Sequence, residues 1–153
     1  MALLESVGLL LYRVRAGELE VLLAHMGGPL WSNKERSWTV PKGLRDPSDE
    51  SLLATAEREF AEELGTPAPS APSHDLGTVR STSKTVYVFA READFDSTSI
   101  TSNTFEMEWP PRSGRRQSFP EVDRAAWFTL ADAEPILVAS QVPFLQRVAA
   151  LVR

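Results

Sequence analysis

The stretch spanning residues 50–64 constrains this chain more than any other, because it gathers acidic side chains along one flank of an apolar helix. At about 100° per residue, Leu53, Phe60 and Leu64 fall within roughly 40° of one another, with Ala56 beside them. That is a core-facing stripe. Glu59, Glu62 and Glu63 fall within roughly 100° on the adjoining sector, at the border of buried and exposed surface. Gly65 then supplies a helix stop. Left alone, the arrangement is electrostatically poor. Glu59 and Glu63 are like charges at i,i+4, which costs about 0.2–0.5 kcal/mol, and all three lie near a helix C-terminus, where the macrodipole favours cations. One reading is a solvated acidic face. The other is a divalent cation among the carboxylates, which reverses both penalties. Hard oxygen donors with no His or Cys beside them suit Mg²⁺ or Mn²⁺ rather than zinc. Arg58 can pair with Glu62 at i,i+4 or reach Glu50, two turns away.

Around that helix the chain reads as strands. Apolar runs at 6–13 and 19–25, joined by the turn-like Arg15-Ala16-Gly17-Glu18, predict a β-hairpin. The N-terminal run from Met1 to Tyr12 carries Glu5 and no basic leader, so it reads as strand rather than signal peptide. Residues 38–40 form a short strand stopped by Pro41. Runs at 76–80 and 85–90 predict a second strand pair, 105–109 another strand, and 125–130 a last strand. A helical region follows over 131–151, broken near Pro143. Strands first and last with a helix between them give an α+β or layered α/β/α class. At 153 residues the chain fits one domain, 1–153, and no run reaches the roughly 20 apolar residues of a membrane span.

Zero cysteines exclude thiolate zinc sites and cysteine nucleophiles, and are compatible with a reducing cytoplasmic setting. The net charge of −5 argues against broad electrostatic binding of nucleic acid, and against a basic track for an RNA chain. An anionic protein handling an anionic substrate has to concentrate positive charge locally, as a metal or as clustered Arg and Lys.

The segment from Gly43 to Gly65 resembles the Nudix box: Gly, five residues, Glu, seven residues, Arg-Glu, an apolar residue, one residue, Glu-Glu, one residue, Gly. Gly43, Glu50, Arg58, Glu59, Phe60, Glu62, Glu63 and Gly65 match, although six residues rather than five separate Gly43 from Glu50, and the final, usually apolar position is Thr66. The spacing from Glu50 to Arg58 is intact, so the extra residue leaves helix register unchanged and bears on the Gly43 backbone. The resemblance implies a Nudix fold, an α/β/α sandwich around a mixed sheet with the box as loop–helix–loop. It also implies Mg²⁺-dependent cleavage of a phosphoanhydride bond in a small nucleotide substrate, with Glu59, Glu62 and Glu63 as metal ligands. Arg58 orients a carboxylate, Glu50 anchors the loop–helix unit, and Gly43 and Gly65 bound it. Pro41-Lys42-Gly43 resembles diadenosine and diphosphoinositol polyphosphate members, and the whole chain resembles a bacterial group of predicted NTP pyrophosphohydrolases. Nucleoside triphosphates and dinucleoside polyphosphates are both implied. Many relatives form homodimers. A catalytically silent nucleotide-binding domain with a regulatory role is the alternative, but a pure binder has no physical reason to keep the carboxylates.

Outside the box, Lys42 starts the phosphate-facing loop or is a plain surface lysine. Glu106 and Glu108 share one strand face; either supplies a further metal ligand or the base that accepts a proton from water, or both mark an exposed strand edge. Arg112, Arg115 and Arg116 cluster around Ser113-Gly114 and offer guanidinium forks to distal phosphates, or stand solvated. Trp31 and Trp38 either stack on a base or pack in the core, and Trp127 packs. His25 and His74 have no identifiable partner in the sequence.

Overall fold

The computed structural model describes residues 4–152 of the chain. Its main sheet joins seven strands in the order β3 (Trp38–Thr39), β2 (Glu18–Met26), β1 (Leu4–Arg15), β6 (Lys84–Glu92) and β5 (Ser73–Ser81), with β4 (Lys42–Leu44) on β1 and β9 (Val122–Thr129) on β2. The hairpin expected at the N-terminus is β1 (Leu4–Arg15) and β2 (Glu18–Met26), closed by a turn with positive φ at Ala16 and Gly17. Met1, Ala2 and Leu3, also read as strand, lie outside the described residues. Strand β1 runs parallel to β6 (Lys84–Glu92) and antiparallel to β2, so the sheet is mixed.

On its other edge β1 forks. Its outer half pairs with β2 through Tyr12–Arg15, while Ser6, Val7 and Gly8 pair with β4 (Lys42–Leu44). The fork is filled by β3 (Trp38–Thr39), which pairs with β2, and by Val40-Pro41, whose Pro41 carbonyl accepts from Leu9 N at 3.1 Å. The sequence read Lys42–Leu44 as loop; three residues are too few for a periodic signal, and the strand exists because β1 offers it an edge.

Helix α1 (Leu52–Leu64) starts later than residue 50, because Ser51 caps it: its Oγ accepts from Ala54 N at 3.0 Å. It ends at Gly65, whose φ of 89° is a left-handed cap that its N–H completes by donating to Ala61 O. The buried stripe is Thr55, Ala56, Phe60 and Leu64, with Leu53 only half-buried. Phe60 is fully buried and meets Phe95 edge-on at 5.2 Å. A buried side chain of this kind contributes about 1.5–3 kcal/mol relative to exposure.

Alternation along β1 divides two cores. Val7, Leu9 and Leu11 face α1, with Leu22 and Phe60. Leu10 and Tyr12 face the other layer, with Val88, Leu137, Phe144 and Val148. That second layer holds α2 (Leu130–Ala133), a 3₁₀ turn (Ala139–Gln141) and α3 (Pro143–Val152). Pro143 opens α3 rather than breaking a helix, consistent with its tolerance in a first turn. The result is the α/β/α sandwich expected. Trp38 belongs to the core, edge-on to Phe128 at 4.8 Å. Trp127 is half-buried, donates Nε1–H to Phe95 O at 3.1 Å and carries the Arg13 guanidinium 4.0 Å from its ring centre.

The strand expected at 105–109 is β7 (Thr104–Glu108), and it pairs with β8 (Arg116–Pro120), which polarity hid, as a separate two-stranded ribbon. The ribbon interrupts the path from β5 (Ser73–Ser81) and β6 to β9 (Val122–Thr129). No helix among the described residues is long and apolar enough to cross a membrane.

Candidate functional site

The acidic flank of α1 is organised by Arg58. Its Nη1 donates to Glu59 Oε2 at 2.9 Å and to both Glu62 oxygens at 3.3 Å. Its Nη2 reaches Leu44 O at 3.2 Å, and the guanidinium grips Asp49 through Nε at 3.0 Å and Nη2 at 2.9 Å. Asp49 also accepts from Thr55 Oγ1 at 2.7 Å and from Asp46 N at 3.0 Å. Hydrogen bonds from Arg58 first, then Thr55, hold its carboxyl far below the usual carboxylate range. The loop anchor expected at Glu50 is therefore Asp49; Glu50 is exposed and makes none of these bonds. The extra residue between Gly43 and Glu50 brings a carboxylate one position earlier to face Arg58, while Ser51 caps the helix.

The Gly43 backbone touches the same cluster. On its β4 face a Cβ built at Gly43 would overlap the Glu59 carboxyl, so only glycine lets the strand and helix approach this closely. Next to it, Lys42 N–H donates to Glu63 Oε1 at 3.2 Å. Burial pushes the Glu63 carboxyl up to about 8, against the attraction of Lys42. Burial, then the charge of Glu62, raises Glu59. Both also feel Glu121, an acidic neighbour the sequence gave no reason to single out. Glu121 sits between β8 and β9, with its N–H on Asn103 O at 2.8 Å.

Among the described residues no three acidic or histidine side chains already converge as metal ligands. Arg58 engages Glu59 and Glu62, and the Lys42 amide engages Glu63. The donor set nevertheless fits a hard divalent cation: all oxygen, partly buried, and charged more densely than one arginine can offset. Raised carboxyl groups in such a corner are what an added cation relieves.

On the opposite face of β4 lies a cavity of about 280 Å³, lined by Trp31, Lys42, Lys84, Val86, Val138 and Ser140 among others. Burial, then the neighbouring Lys84 ammonium, lowers the Lys42 pKa, and Glu63 and Glu59 pull it back up. Lys42 thus stands between the acidic flank and the cavity. Lys84 was not legible in the sequence, because only the parallel pairing of β6 with β1 sets it beside Lys42.

Glu106 and Glu108 are exposed on the ribbon. Glu106 pairs with Arg116 at 3.5 Å, and Glu108 accepts from Arg112 N at 3.2 Å and Gly114 N at 3.0 Å. The ribbon tip holds Arg112, at a φ of 63°, with Arg115 and Arg116, all exposed. The ribbon's base, though, reaches α1: Asn103 N donates to Glu62 O at 2.9 Å. His25 does have a partner, Asp123 Oδ1, hydrogen-bonded to its Nδ1 at 2.8 Å, with Trp38 edge-on at 5.1 Å.

A family model described as NUDIX domain matches residues 3–148. No curated protein matches the sequence. Among solved structures, the NUDIX domain of Shewanella oneidensis NrtR complexed with ADP ribose aligns at 20% identity and TM-score 0.68, covering 100% of this chain and 90% of that one. A C. elegans Ap4A hydrolase binary complex aligns at 22% identity and TM-score 0.64, covering 97% of each chain. The solution structure of the E. coli ORF135 protein aligns at 21% and TM-score 0.62, covering 99% and 92%. At such identities these likenesses speak to the fold.

Proposed function

The chain belongs to the NUDIX domain family, and from that premise we propose that it is a divalent-metal-dependent pyrophosphohydrolase cleaving a diphosphate linkage in a nucleotide. We assign it a nucleoside triphosphate or a dinucleoside polyphosphate as substrate, and Mg²⁺, with Mn²⁺ as substitute, as the ion. The observation that carries this reading is the crowding of Glu59, Glu62 and Glu63 on α1, where Glu59 and Glu63 are both pushed towards protonation.

Glu59, Glu62 and Glu63 would hold the Mg²⁺, which would supply charge to offset the phosphates and lower the pKa of an attacking water. The remaining work falls to side chains. Asp49 fixes Arg58, and Arg58 orients Glu59 and Glu62. We assign proton acceptance to Glu121, whose charge acts on both Glu59 and Glu63. Glu106 and Glu108, the other candidates for that part, are engaged by Arg116 and by loop amides. As the water oxygen bonds to phosphorus its proton passes to the carboxylate, the bridging P–O bond breaks, and the leaving phosphate keeps the electron pair. Lys42, Arg112, Arg115 and Arg116 neutralise the polyphosphate. Most of the rate enhancement then comes from positioning and charge rather than covalent catalysis.

A second reading, nucleotide binding without hydrolysis, is favoured by one observation: Arg58 already engages two of the three carboxylates. A single experiment separates the two. Purified protein and Glu62→Gln are assayed with Mg²⁺ against diadenosine polyphosphates, NTPs, oxidised dNTPs, ADP-ribose and NADH. Turnover of at least one substrate by wild type, falling at least about 100-fold in Glu62→Gln, is expected. Binding without Mg²⁺-dependent turnover of any of them favours the second reading. Equal turnover by the two proteins overturns the assignment of the carboxylates.

A further inference from the structure

Val122 and Ala125 both belong to the α1-side core, although side chains three apart on a regular strand point to opposite faces. The reason is a β-bulge where β9 pairs with β2. His25 lies opposite Arg124 and Met26 opposite Val122, while Asp123, between those two, pairs with no residue of β2. The extra residue turns Val122 inward towards α1. With it, the bulge resets the direction of the residue just before β9, Glu121, whose charge acts on Glu59 and Glu63.

A bulged residue leaves the ladder, and here a side chain of the opposite strand fixes it. His25 is 5% exposed and meets Asp123 Oδ1 through Nδ1 at 2.8 Å. An ionised carboxylate only accepts, so Nδ1 carries the proton and donates. Trp38, edge-on at 5.1 Å, backs the ring, and Arg124 Nη1 stands 3.6 Å from the same Asp123 oxygen. The backbone around Glu121 is pinned next to this pair. Its carbonyl accepts from Gly27 N at 2.9 Å, its N–H donates to Asn103 O at 2.8 Å, and Val122 N donates to Ser102 Oγ at 3.0 Å. Gly27 follows Met26, the partner of Val122, and a Cβ built on it would overlap the Pro120 carbonyl. The Glu121 side chain is exposed, so its own packing does little to aim it. The backbone does.

We infer that His25 and Asp123 are positioning residues: their hydrogen bond sets the bulge that aims Glu121 at the acidic flank of α1. The place of this device in a reaction rests on the pyrophosphohydrolase reading, in which Glu121 accepts the proton of the attacking water. Its structural part is tested without turnover.

Two readouts on the full-length chain test it. In metal-free protein, amide hydrogen exchange at Gly27 and Glu121 should quicken at least about tenfold in Asp123→Ala and His25→Leu, the effect of losing one charge-assisted hydrogen bond. His25→Asn keeps an N–H donor near the place of Nδ1 and should keep the protection. His25→Gln, whose amide reaches the place of Nε2 instead, should not. A ring that only filled space would rank these replacements by volume, with leucine and glutamine ahead of asparagine. With a substrate that wild type hydrolyses, Asp123→Ala should lower kcat about 10- to 100-fold with KM little changed. Glu121→Gln should cost about 100- to 10,000-fold. Adding Asp123→Ala to it should cost little more, because both changes act on one proton transfer. Asp123 is exposed, so its alanine variant leaves the core filled and keeps the test open should a His25 variant fail to fold. Equal losses from Asp123→Ala with and without the Glu121 carboxylate would show that the pair acts elsewhere and overturn the inference. So would exchange at Gly27 and Glu121 that ignores the His25–Asp123 bond. Wild-type turnover with kcat indifferent to Asp123→Ala sinks this inference alone; exchange that follows the bond, in a protein that hydrolyses no substrate, sinks the hydrolase reading alone.

Discussion

Arg58 and Asp49 face each other in a two-point contact, Nε to Oδ1 at 3.0 Å and Nη2 to Oδ2 at 2.9 Å, while the adjacent Glu50 stays in solvent. This pair fastens the loop before α1 to the helix that bears Glu59, Glu62 and Glu63, the proposed metal ligands. Asp49→Ala should therefore lower the melting temperature by several degrees and reduce turnover, since Arg58 loses the partner that fixes it. Glu50→Gln should leave both unchanged. Thermal unfolding and steady-state rates on the two variants check this, and the reverse pattern would restore Glu50 as the anchor.

Gly43→Ala inserts a methyl group where the Glu59 carboxyl already lies. Overpacking of this kind costs about 1–3 kcal/mol. Because the group displaced is a proposed metal ligand, Mg²⁺ affinity should fall by about 10- to 100-fold. Urea unfolding and a metal titration followed by calorimetry read the two effects separately. An alanine variant with wild-type Mg²⁺ affinity would dissociate this glycine from the site.

Glu63 gives the metal-free protein a pH dependence of definite sign. Its carboxyl is raised from 4.5 to about 8 by burial. Between those values the folded protein holds a proton that the unfolded chain has released, so stability falls as pH rises through the window. The contribution is complete below 4.5 and gone above about 8. Melting temperature without Mg²⁺ should decline across that range, and Glu63→Gln should flatten the decline. Mg²⁺ competes with the proton, so its apparent affinity should climb over the same range in wild type and not in the variant. A flat wild-type profile would show that Glu63 ionises freely in the fold.

Arg112 and Arg115, exposed at the ribbon tip, are assigned to distal phosphates. Arg112→Ala and Arg115→Ala should raise KM on the order of tenfold for substrates with three or more phosphates, with kcat little changed, the pattern of lost uniform binding. Substrates with a single diphosphate should be unaffected. Equal KM values across all chain lengths would leave these arginines as solvated surface.

The parts of the molecule legible in the sequence are those set by local period. The stripe of Ala56, Phe60 and Leu64, the stop at Gly65, and the β1–β2 hairpin with its Ala16-Gly17 turn all follow from spacing along one segment. So does the flank of Glu59, Glu62 and Glu63. What escaped depends on pairing between distant segments. Lys84 reaches Lys42 only through β1, and Glu121 comes near Glu63 only because β9 follows the ribbon back to the sheet. Asp49 displaced Glu50 for a stereochemical reason: residue 51 had to cap the helix, and the carboxylate that then faced Arg58 and Thr55 was the one two positions before the cap. His25 gained Asp123 in the same way, from neighbouring strands.

The ribbon β7–β8 leaves the body at Asn103, whose N–H is held by the Glu62 carbonyl, and returns at Glu121, whose N–H is held by the Asn103 carbonyl. Its fulcrum is thus the last turn of α1. A pull on the arginine tip bears on the backbone at Glu62, and under the proposed function a polyphosphate held at that tip would steady the turn that carries the proposed metal ligands. On the proposed function, substrate capture and stiffening of the turn that carries the proposed metal ligands would be one mechanical event.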